Sequence, residues 1–146
     1  MTNRTVHILL VEDDRVDAEA ITRAFLKVKI ANPIQVVPDG VIALQTLRGH
    51  GDIPPLSRPY LILLDLNLPR MNGIEFLDAL RRDPLLHDSI VFVLTTSNAE
   101  TDKSAAYAYN IAGYLTKINA GVDFLLLVQL LDYYWSCVEF PPESHP

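Results

Sequence analysis

The chain has 146 residues, of which 49% are apolar and 21% are charged, and its formal net charge at pH 7 is -6. This length suits a single domain with a real core. The composition excludes an intrinsically disordered chain and a membrane-spanning one, and the acidic balance argues against nucleic-acid binding, which needs a basic face.

Two features bear on where the protein acts. Its first residues do not form a secretory signal, because their apolar segment is short and leads directly into acidic residues. The single cysteine, Cys137, cannot form a disulfide within the chain. We therefore expect a cytoplasmic protein.

Hydrophobic periodicity predicts five strands, each followed by a helix. Short apolar runs bounded by turn residues predict strands at residues 7–11, 33–37, 60–64, 90–94 and 113–116. Apolar residues at helical spacing predict helices at about residues 15–29, 41–49, 73–82, 100–109 and 122–137. We expect one domain at residues 1–138 and a proline-containing tail at residues 139–146, with no output domain.

The order of these elements predicts the fold. A strand followed by a helix, repeated five times, predicts a parallel sheet with helices on both faces and right-handed crossovers. Pro33 and Pro38 stand at the two ends of the second strand, which suits a strand at the edge of the sheet. The sequence thus predicts an α/β protein.

Four of the five predicted strands end in polar residues that could take part in chemistry. Glu12 and Asp13 follow the first strand, Asp65 follows the third, Thr95 follows the fourth, and Lys117 follows the fifth. Parallel strands bring their carboxyl ends to one edge of the sheet, which is where open α/β sheets bind ligands. We therefore expect these side chains to converge.

This combination of groups indicates phosphoryl chemistry. Converging carboxylates repel one another unless a cation neutralises them, and their oxygens favour Mg²⁺ or a similar hard ion. With a metal ion and a lysine in place, a carboxylate can attack phosphorus and form an acyl phosphate. On these grounds alone, Asp65 could be a nucleophile or a metal ligand.

The sequence resembles the receiver domain of response regulators, the CheY-like domain of two-component signalling. The resemblance rests on four blocks that read ILLVEDD, LILLDLNLPRMNGIEF, VFVLTTS and GYLTK. They follow the family's order and spacing, and the likeness covers about residues 6–137. It implies a flavodoxin-like (CheY-like) doubly wound fold with five parallel strands in the order 2-1-3-4-5.

The resemblance also implies a phosphoacceptor and a metal site. Asp65 would accept the phosphoryl group, and Mg²⁺ would be the cofactor. Glu12 and Asp13 would form the acidic pair, with Asp13 a direct ligand. Asp65 itself and the backbone carbonyl of Asn67 would complete the ligand set.

A conformational switch is implied in the same way. Thr95 would be the hydroxyl that moves toward the phosphoryl group, and Lys117 would pair with that group. Tyr114 would be the aromatic switch residue. Asp65, Thr95 and Lys117 together would form the catalytic set.

One position departs from the family's pattern. Most members have proline directly after the lysine, often with a cis peptide bond, whereas Lys117 is followed here by Ile118. Without proline a cis bond costs about 3 kcal/mol, so we expect a trans bond. Ile118, the block ending in Ser97 and the aromatic C-terminus resemble the single-domain receivers that partner phytochrome histidine kinases.

The last predicted helix is apolar most of the way round, whereas a surface helix needs an apolar stripe of little more than 100°. Large exposed apolar faces usually mark interfaces, and we expect a homodimer through this helix and the tail. The expected interface residues are Phe124, Leu127, Leu131, Tyr134 and Trp135. Alternatively, the tail folds back and covers the helix through Phe140, Pro141 and Pro142.

The leading hypothesis is a two-component response regulator rather than an enzyme. It would accept a phosphoryl group from a sensor histidine kinase such as a phytochrome kinase, hydrolyse it slowly, and signal through protein contacts or dimerisation. A haloacid-dehalogenase-type phosphohydrolase is one alternative, but it needs a general acid where this chain has Asn67. The other alternative is a degenerate receiver that serves only as an interaction module, against which the complete site argues.

Overall fold

The structure is a computed structural model that describes residues 5–142. Its five strands are β1 (His7–Val11), β2 (Ile34–Val37), β3 (Tyr60–Leu64), β4 (Ile90–Thr95) and β5 (Gly113–Thr116). The five α-helices are α1 (Arg15–Lys27), α2 (Gly40–Arg48), α3 (Gly73–Arg82), α4 (Glu100–Tyr107) and α5 (Leu125–Cys137). The first four residues and residues 143–146 of the predicted tail lie outside this description.

The strands form one parallel sheet in the order β2-β1-β3-β4-β5. This arrangement confirms the predicted flavodoxin-like fold and the edge position of β2. β3 lies at the centre of the sheet and all five of its residues are buried, as its uninterrupted apolar run predicts. The residue that follows β3 therefore emerges from the centre of the sheet.

Two apolar layers cover the two faces of the sheet. Alternate strand residues such as Leu9 and Ile62 pack with α2, α3 and α4, whereas Leu10 and Leu63 pack with α1 and α5. This division follows from the strand geometry, in which successive side chains point to opposite faces. The helices hold the sheet from both sides and leave the carboxyl ends of its strands as one edge.

Polar side chains fix the starts of three helices. The carboxylates of Asp14 and Asp39 accept backbone N–H bonds at the starts of α1 and α2. Asn72 and Glu75 form a reciprocal capping box at the start of α3. All three helices start directly after or near a strand end, so these caps also fix the loops at the edge where the polar residues converge.

Three predicted helices are shorter in the structure than the sequence pattern indicated. α1 and α4 end early, and left-handed residues follow them at Lys29 and Asn110, with φ of 61° and 59°. α5 begins at Leu125 rather than near residue 122, because Asp123 and Phe124 have φ of 52° and 63°. Apolar spacing continues through these positions, so the pattern could not reveal where the backbone leaves the helical conformation.

The outer face of α5 corrects our predicted dimer residues. Leu127 and Leu131 are 2% and 0% exposed and pack in the core under the sheet, so they cannot form a surface. The outward positions are instead Leu126, Leu130 and Tyr133, which are 56%, 41% and 72% exposed. A helix that is apolar all round gives no periodicity to show which side faces the core, so the prediction selected the wrong leucines.

Aromatic contacts explain the other three predicted positions. Phe124, Tyr134 and Trp135 are partly buried against the same core. Trp135 stacks on Phe25 with ring centroids 6.1 Å apart, and Tyr134 meets Phe140 of the tail edge to face at 6.2 Å. The tail thus covers part of α5, as the alternative proposed, but it leaves the outward leucines exposed.

None of the described helices combines the length and apolar character that a membrane span requires.

Candidate functional site

Three carboxylates meet at the carboxyl edge of the sheet. Glu12 and Asp13 follow β1 and Asp65 follows β3, and these strands are neighbours with Val11 opposite Leu64. One oxygen from each acid lies within 4.8 Å of the others. Glu12 and Asp65 are buried whereas Asp13 is exposed, so the cluster opens toward solvent on one side.

The ammonium of Lys117 lies among these acids. Its Nζ is 2.7 Å from Glu12 Oε1, 2.7 Å from Asp17 Oδ2 and 3.3 Å from Asp65 Oδ2. The lysine side chain is only 10% exposed, because β5 delivers it to the edge from the side of the sheet. Lys117 thus donates hydrogen bonds to Asp17 and Asp65 and forms an ion pair with Glu12.

Burial and charge perturb the proton affinities of this pair. Burial raises the pKa of Glu12 to about 7, and the charge of Asp65 acts in the same direction while Lys117 opposes it. Burial alone would lower the pKa of Lys117, but hydrogen bonds to Asp17 and Glu12 outweigh it and raise that pKa. Lys117 therefore stays a cation and is the positive charge that allows the acids to share one site.

The loop between β3 and α3 holds Asp65 in place. The backbone N–H of Asn67 donates to Asp65 Oδ1 at 3.2 Å. A side chain at Gly73 would bring a Cβ to 2.6 Å from the carbonyl oxygen of Asp65, so only glycine lets α3 start this close to the loop. Farther along, the guanidinium of Arg70 donates to Asp39 Oδ2 at 2.9 and 2.7 Å. These contacts tie the loop to α2 and α3.

A chain of polar contacts leads from the end of β4 to β5. The hydroxyl of Thr95 is fully buried and accepts from the backbone N–H of Ser97 at 3.4 Å. The Tyr114 hydroxyl donates to the carbonyl of Ser97 at 3.0 Å. The hydroxyl of Tyr107 in turn accepts from the backbone N–H of Tyr114 at 3.2 Å. The predicted switch residues Thr95 and Tyr114 are thus connected through Ser97.

The structure brings the predicted acids and lysine together and adds residues that the sequence reasoning missed. The most important is Asp17, whose contact with Lys117 spans 100 positions in the chain. Asp17 lies in the first turn of a helix predicted to start directly after Glu12 and Asp13, and this position was a signal that could have placed it near the site. Arg70 gave no such signal, because nothing in the sequence indicates its partner. Described residues 5–142 have one cis peptide bond, before Pro59, so the Lys117–Ile118 bond is trans as predicted.

Comparisons with known proteins identify the family. The sequence model of one protein family, the response regulator receiver domain, matches residues 8–129 of this chain. The response regulator Rcp1 of Synechocystis sp. is 37% identical over 128 residues, which cover 88% of this chain and 87% of Rcp1. The Mn²⁺-bound form of Rcp1 superposes with a TM-score of 0.81 at 34% identity, over 94% of this chain and 99% of that one.

A second solved structure extends the likeness. The phosphorylated cyanobacterial phytochrome response regulator RcpA matches with a TM-score of 0.84 at 34% identity, over 95% of this chain and 100% of that one. The chain therefore belongs to the response regulator receiver family. It is related to the phytochrome response regulators, as the sequence predicted, and proteins of this family act in two-component signalling rather than as conventional enzymes.

Proposed function

We propose that this protein receives a phosphoryl group on Asp65 from a sensor histidine kinase. The observation that carries the proposal is the meeting of three carboxylates with one largely buried lysine side chain at the end of the central strand. A phosphoryl group that enters this site finds a nucleophile, a cation site and an ammonium together. Such positioning and charge neutralisation provide most of the catalysis in phosphoryl transfer.

The acidic cluster fits a divalent cation. Its members offer only carboxylate oxygens, which favour Mg²⁺ over softer ions, and the exposed Asp13 leaves one side accessible. We assign Mg²⁺ to Glu12, Asp13, Asp65 and the Asn67 carbonyl, with support from the Mn²⁺-bound form of Rcp1. When bound, the ion neutralises the charge that develops on the phosphoryl oxygens.

The transfer step follows from the placement of Asp65. One of its carboxylate oxygens attacks phosphorus, an O–P bond forms, and the P–N bond to the kinase histidine breaks as the imidazole leaves. The product is an acyl phosphate that water hydrolyses slowly. Lys117 already lies 3.3 Å from the attacking carboxylate and supplies N–H groups to the new oxygens, and Thr95 supplies a hydroxyl.

We further propose that phosphorylation is communicated through Thr95 and Tyr114. The two residues contact the N–H and the carbonyl of Ser97, so a movement of the Thr95 hydroxyl toward the phosphoryl group disturbs the anchor of Tyr114. Tyr114 lines a groove of about 610 Å³ between α4, β5 and α5. Leu126 and Leu130 from the outer face of α5 line the same groove.

This shared groove favours output through a homodimer. The outward residues of α5 form an apolar face beside it, and a second copy of the chain would bury that face symmetrically.

A phytochrome kinase is our proposed phosphodonor, on the strength of the likeness to RcpA. We place the protein in the cytoplasm, where such a donor is accessible.

Intact-mass spectrometry tests the phosphoacceptor. Incubation with acetyl phosphate and Mg²⁺ should add the mass of one phosphoryl group to the wild type, and chelation of the metal should prevent the addition. Asp65→Asn removes the nucleophile and should remain unmodified, whereas Asp52→Asn, an exposed loop acid outside the site, should react like the wild type. A wild type that gains no mass would refute the proposal.

Neither alternative function finds comparable support. A haloacid-dehalogenase-type enzyme requires a general acid two residues after the nucleophile, and the amide of Asn67 cannot donate a proton in that way. Lack of turnover with an aryl phosphate would agree with our proposal. The degenerate-receiver alternative predicts that the wild type is not phosphorylated. A mass increase in the wild type would therefore exclude this alternative, and an unchanged mass would support it.

A further inference from the structure

Lys117 divides its ammonium between Asp65 and an acid that belongs to none of the roles described above. That acid, Asp17, lies in the first turn of α1, and its Oδ2 is 2.7 Å from the lysine Nζ. The distance from the same Nζ to Asp65 Oδ2 is 3.3 Å. In this state of the protein the ammonium is therefore closer to helix α1 than to the phosphoacceptor.

The position of Asp17 is well defined. Its backbone N–H donates to the carboxylate of Asp14 at 3.1 Å, which fixes the first turn of α1 at the carboxyl edge of the sheet. The side chain of Asp17 is 27% exposed, whereas that of Lys117 is 10% exposed. Asp17 thus reaches inward to a lysine side chain that is more buried than its own.

The ammonium of Lys117 contacts three acids. It donates to Asp17 and Asp65 and lies 2.7 Å from Glu12 Oε1, and a lysine has no more than three N–H groups. A phosphoryl group on Asp65 adds roughly -1.5 to -2 of charge and three strong acceptor oxygens. Those oxygens compete for the ammonium with the acids that Lys117 contacts now. Glu12 belongs to the proposed metal site, which leaves Asp17 as the acid whose only contact with the site is this lysine.

We propose that Asp17 is a positioning residue that draws Lys117 away from Asp65 in the unphosphorylated protein and releases it when Asp65 is phosphorylated. This inference rests on the proposed role of Asp65 as phosphoacceptor. It gives the first turn of α1 a part in the switch, because its link to β5 through Lys117 exists only before phosphorylation. Asp17 thereby sets the cost of bringing the ammonium to the phosphoryl group.

The variant Asp17→Asn keeps the shape of the side chain and removes its charge. The phosphorylation rate with acetyl phosphate and Mg²⁺ should rise about two- to fivefold, the range expected from weakening a partly exposed ion pair. Glu19→Gln is the matched control, because Glu19 is an exposed acid of the same helix that pairs with Arg15 at 3.6 Å. Both variants lose one negative charge, so a general effect on an anionic donor would appear in both.

Nuclear magnetic resonance of the wild type provides a readout that a merely structural role would not move. With Mg²⁺, beryllofluoride, a mimic of the phosphoryl group, should shift the Lys117 ¹⁵Nζ and Asp17 ¹³Cγ signals together. In Asp17→Asn the Lys117 signal should already lie nearer its beryllofluoride position. The beryllofluoride experiment on the wild type needs no variant, so it tests the proposal even if Asp17→Asn folds poorly.

The outcomes separate this proposal from the one on which it rests. An Asp17→Asn rate equal to or below that of Glu19→Gln would overturn the role of Asp17, as would an Asp17 signal that ignores beryllofluoride. If the wild type itself gained no phosphoryl mass, the phosphoacceptor proposal would fail, and the inference about Asp17 would fail with it.

Discussion

At the scale of single residues, two positions of the site are tightly constrained, one by charge and one by close packing. Within the described residues, Lys117 is the single cation that forms an ion pair with Glu12 or Asp65, and burial of Glu12 makes that cation necessary. Gly73 is equally constrained, because the backbone of Asp65 and Leu66 occupies the space that a Cβ would need. Charge fixes the lysine and close backbone packing fixes the glycine.

Gly73→Ala tests this close packing. The added Cβ would lie 2.6 Å from the carbonyl oxygen of Asp65 and 2.7 Å from the Cα of Leu66, and backbone cannot move aside as a side chain can. We expect a loss of about 2 kcal/mol in the free energy of unfolding, measured by urea denaturation, together with slower phosphorylation. Gly51→Ala is the comparison for backbone strain alone, because its Cβ meets nothing within 4 Å while its φ of 60° costs a non-glycine residue about 1 kcal/mol. A Gly73→Ala protein as stable as the Gly51→Ala protein would contradict this account.

At the scale of elements, the loop that follows Asp65 is held by the helices on either side of it. The Asp39 carboxylate both caps α2 and receives the guanidinium of Arg70, and the N–H of Gly40 donates to Met71 at 3.2 Å. The loop after β3 is therefore fixed to α2 as well as to α3. This explains how a loop with Asn, Pro and Gly residues presents Asp65 in a defined position.

Asp39 provides a prediction of pH dependence. Burial would raise the pKa of Asp39, but its bonds to the Ile42 backbone and to Arg70 outweigh burial and lower that pKa below the ordinary 3.8. The folded state thus holds this proton less tightly than the unfolded state, so the stabilisation is complete above pH 3.8 and is lost as the pH falls through the lowered pKa.

The variant Asp39→Asn preserves the helix cap and removes the charge. We expect it to lower the free energy of unfolding by about 1 kcal/mol at pH 7, and the difference from wild type should shrink below pH 3.8. Denaturation of both proteins across this range measures it, and Arg70→Gln should remove most of the same stabilisation. A deficit that stays constant down to the lowest pH would contradict the ion-pair explanation.

At the scale of the whole molecule, the candidate site and the described part of the tail lie at opposite edges of the sheet. The carboxyl edge carries the acids and Lys117, whereas the tail packs beside α5, where Phe140 meets Tyr134. The groove between α4, β5 and α5 lies between the site and the outer face of α5. Tyr114 takes part in both the contact with Ser97 and this groove, and this double role is the basis of our proposal that a change at Asp65 reaches the dimer surface.

Sedimentation velocity tests that surface. We expect wild-type protein at micromolar concentration to form dimers when beryllofluoride and Mg²⁺ are present. Leu130→Asp places a charge on the 41% exposed outward position of α5 and should yield monomers. Leu85→Asp is the control, since Leu85 is 57% exposed outside this face and should leave the dimer unchanged. If the wild type is monomeric both with and without beryllofluoride and Mg²⁺, the homodimer is ruled out.

The sequence alone determined the strands, their order along the chain and the acids at their ends. β1, β3, α3 and β5 have the predicted bounds, because buried apolar runs and the capping residues of α3 are local signals. The parallel topology then brings Glu12, Asp65 and Lys117 to one edge, since it is a direct consequence of the alternating pattern. The core of the candidate site could therefore be predicted before its geometry was known.

Only the tertiary structure decided the contacts that depend on distant partners. The pair of Asp17 and Lys117 is separated by 100 positions, and the pair of Asp39 and Arg70 by 31, so no local pattern distinguishes them from solvated charges. The side of α5 that faces the sheet was hidden for a related reason: Leu127 and Leu130 are chemically identical, and only packing against the core buries the first and exposes the second. Local chemistry specifies the elements, whereas the pairing of remote charges and the choice of a helix face arise when those elements pack.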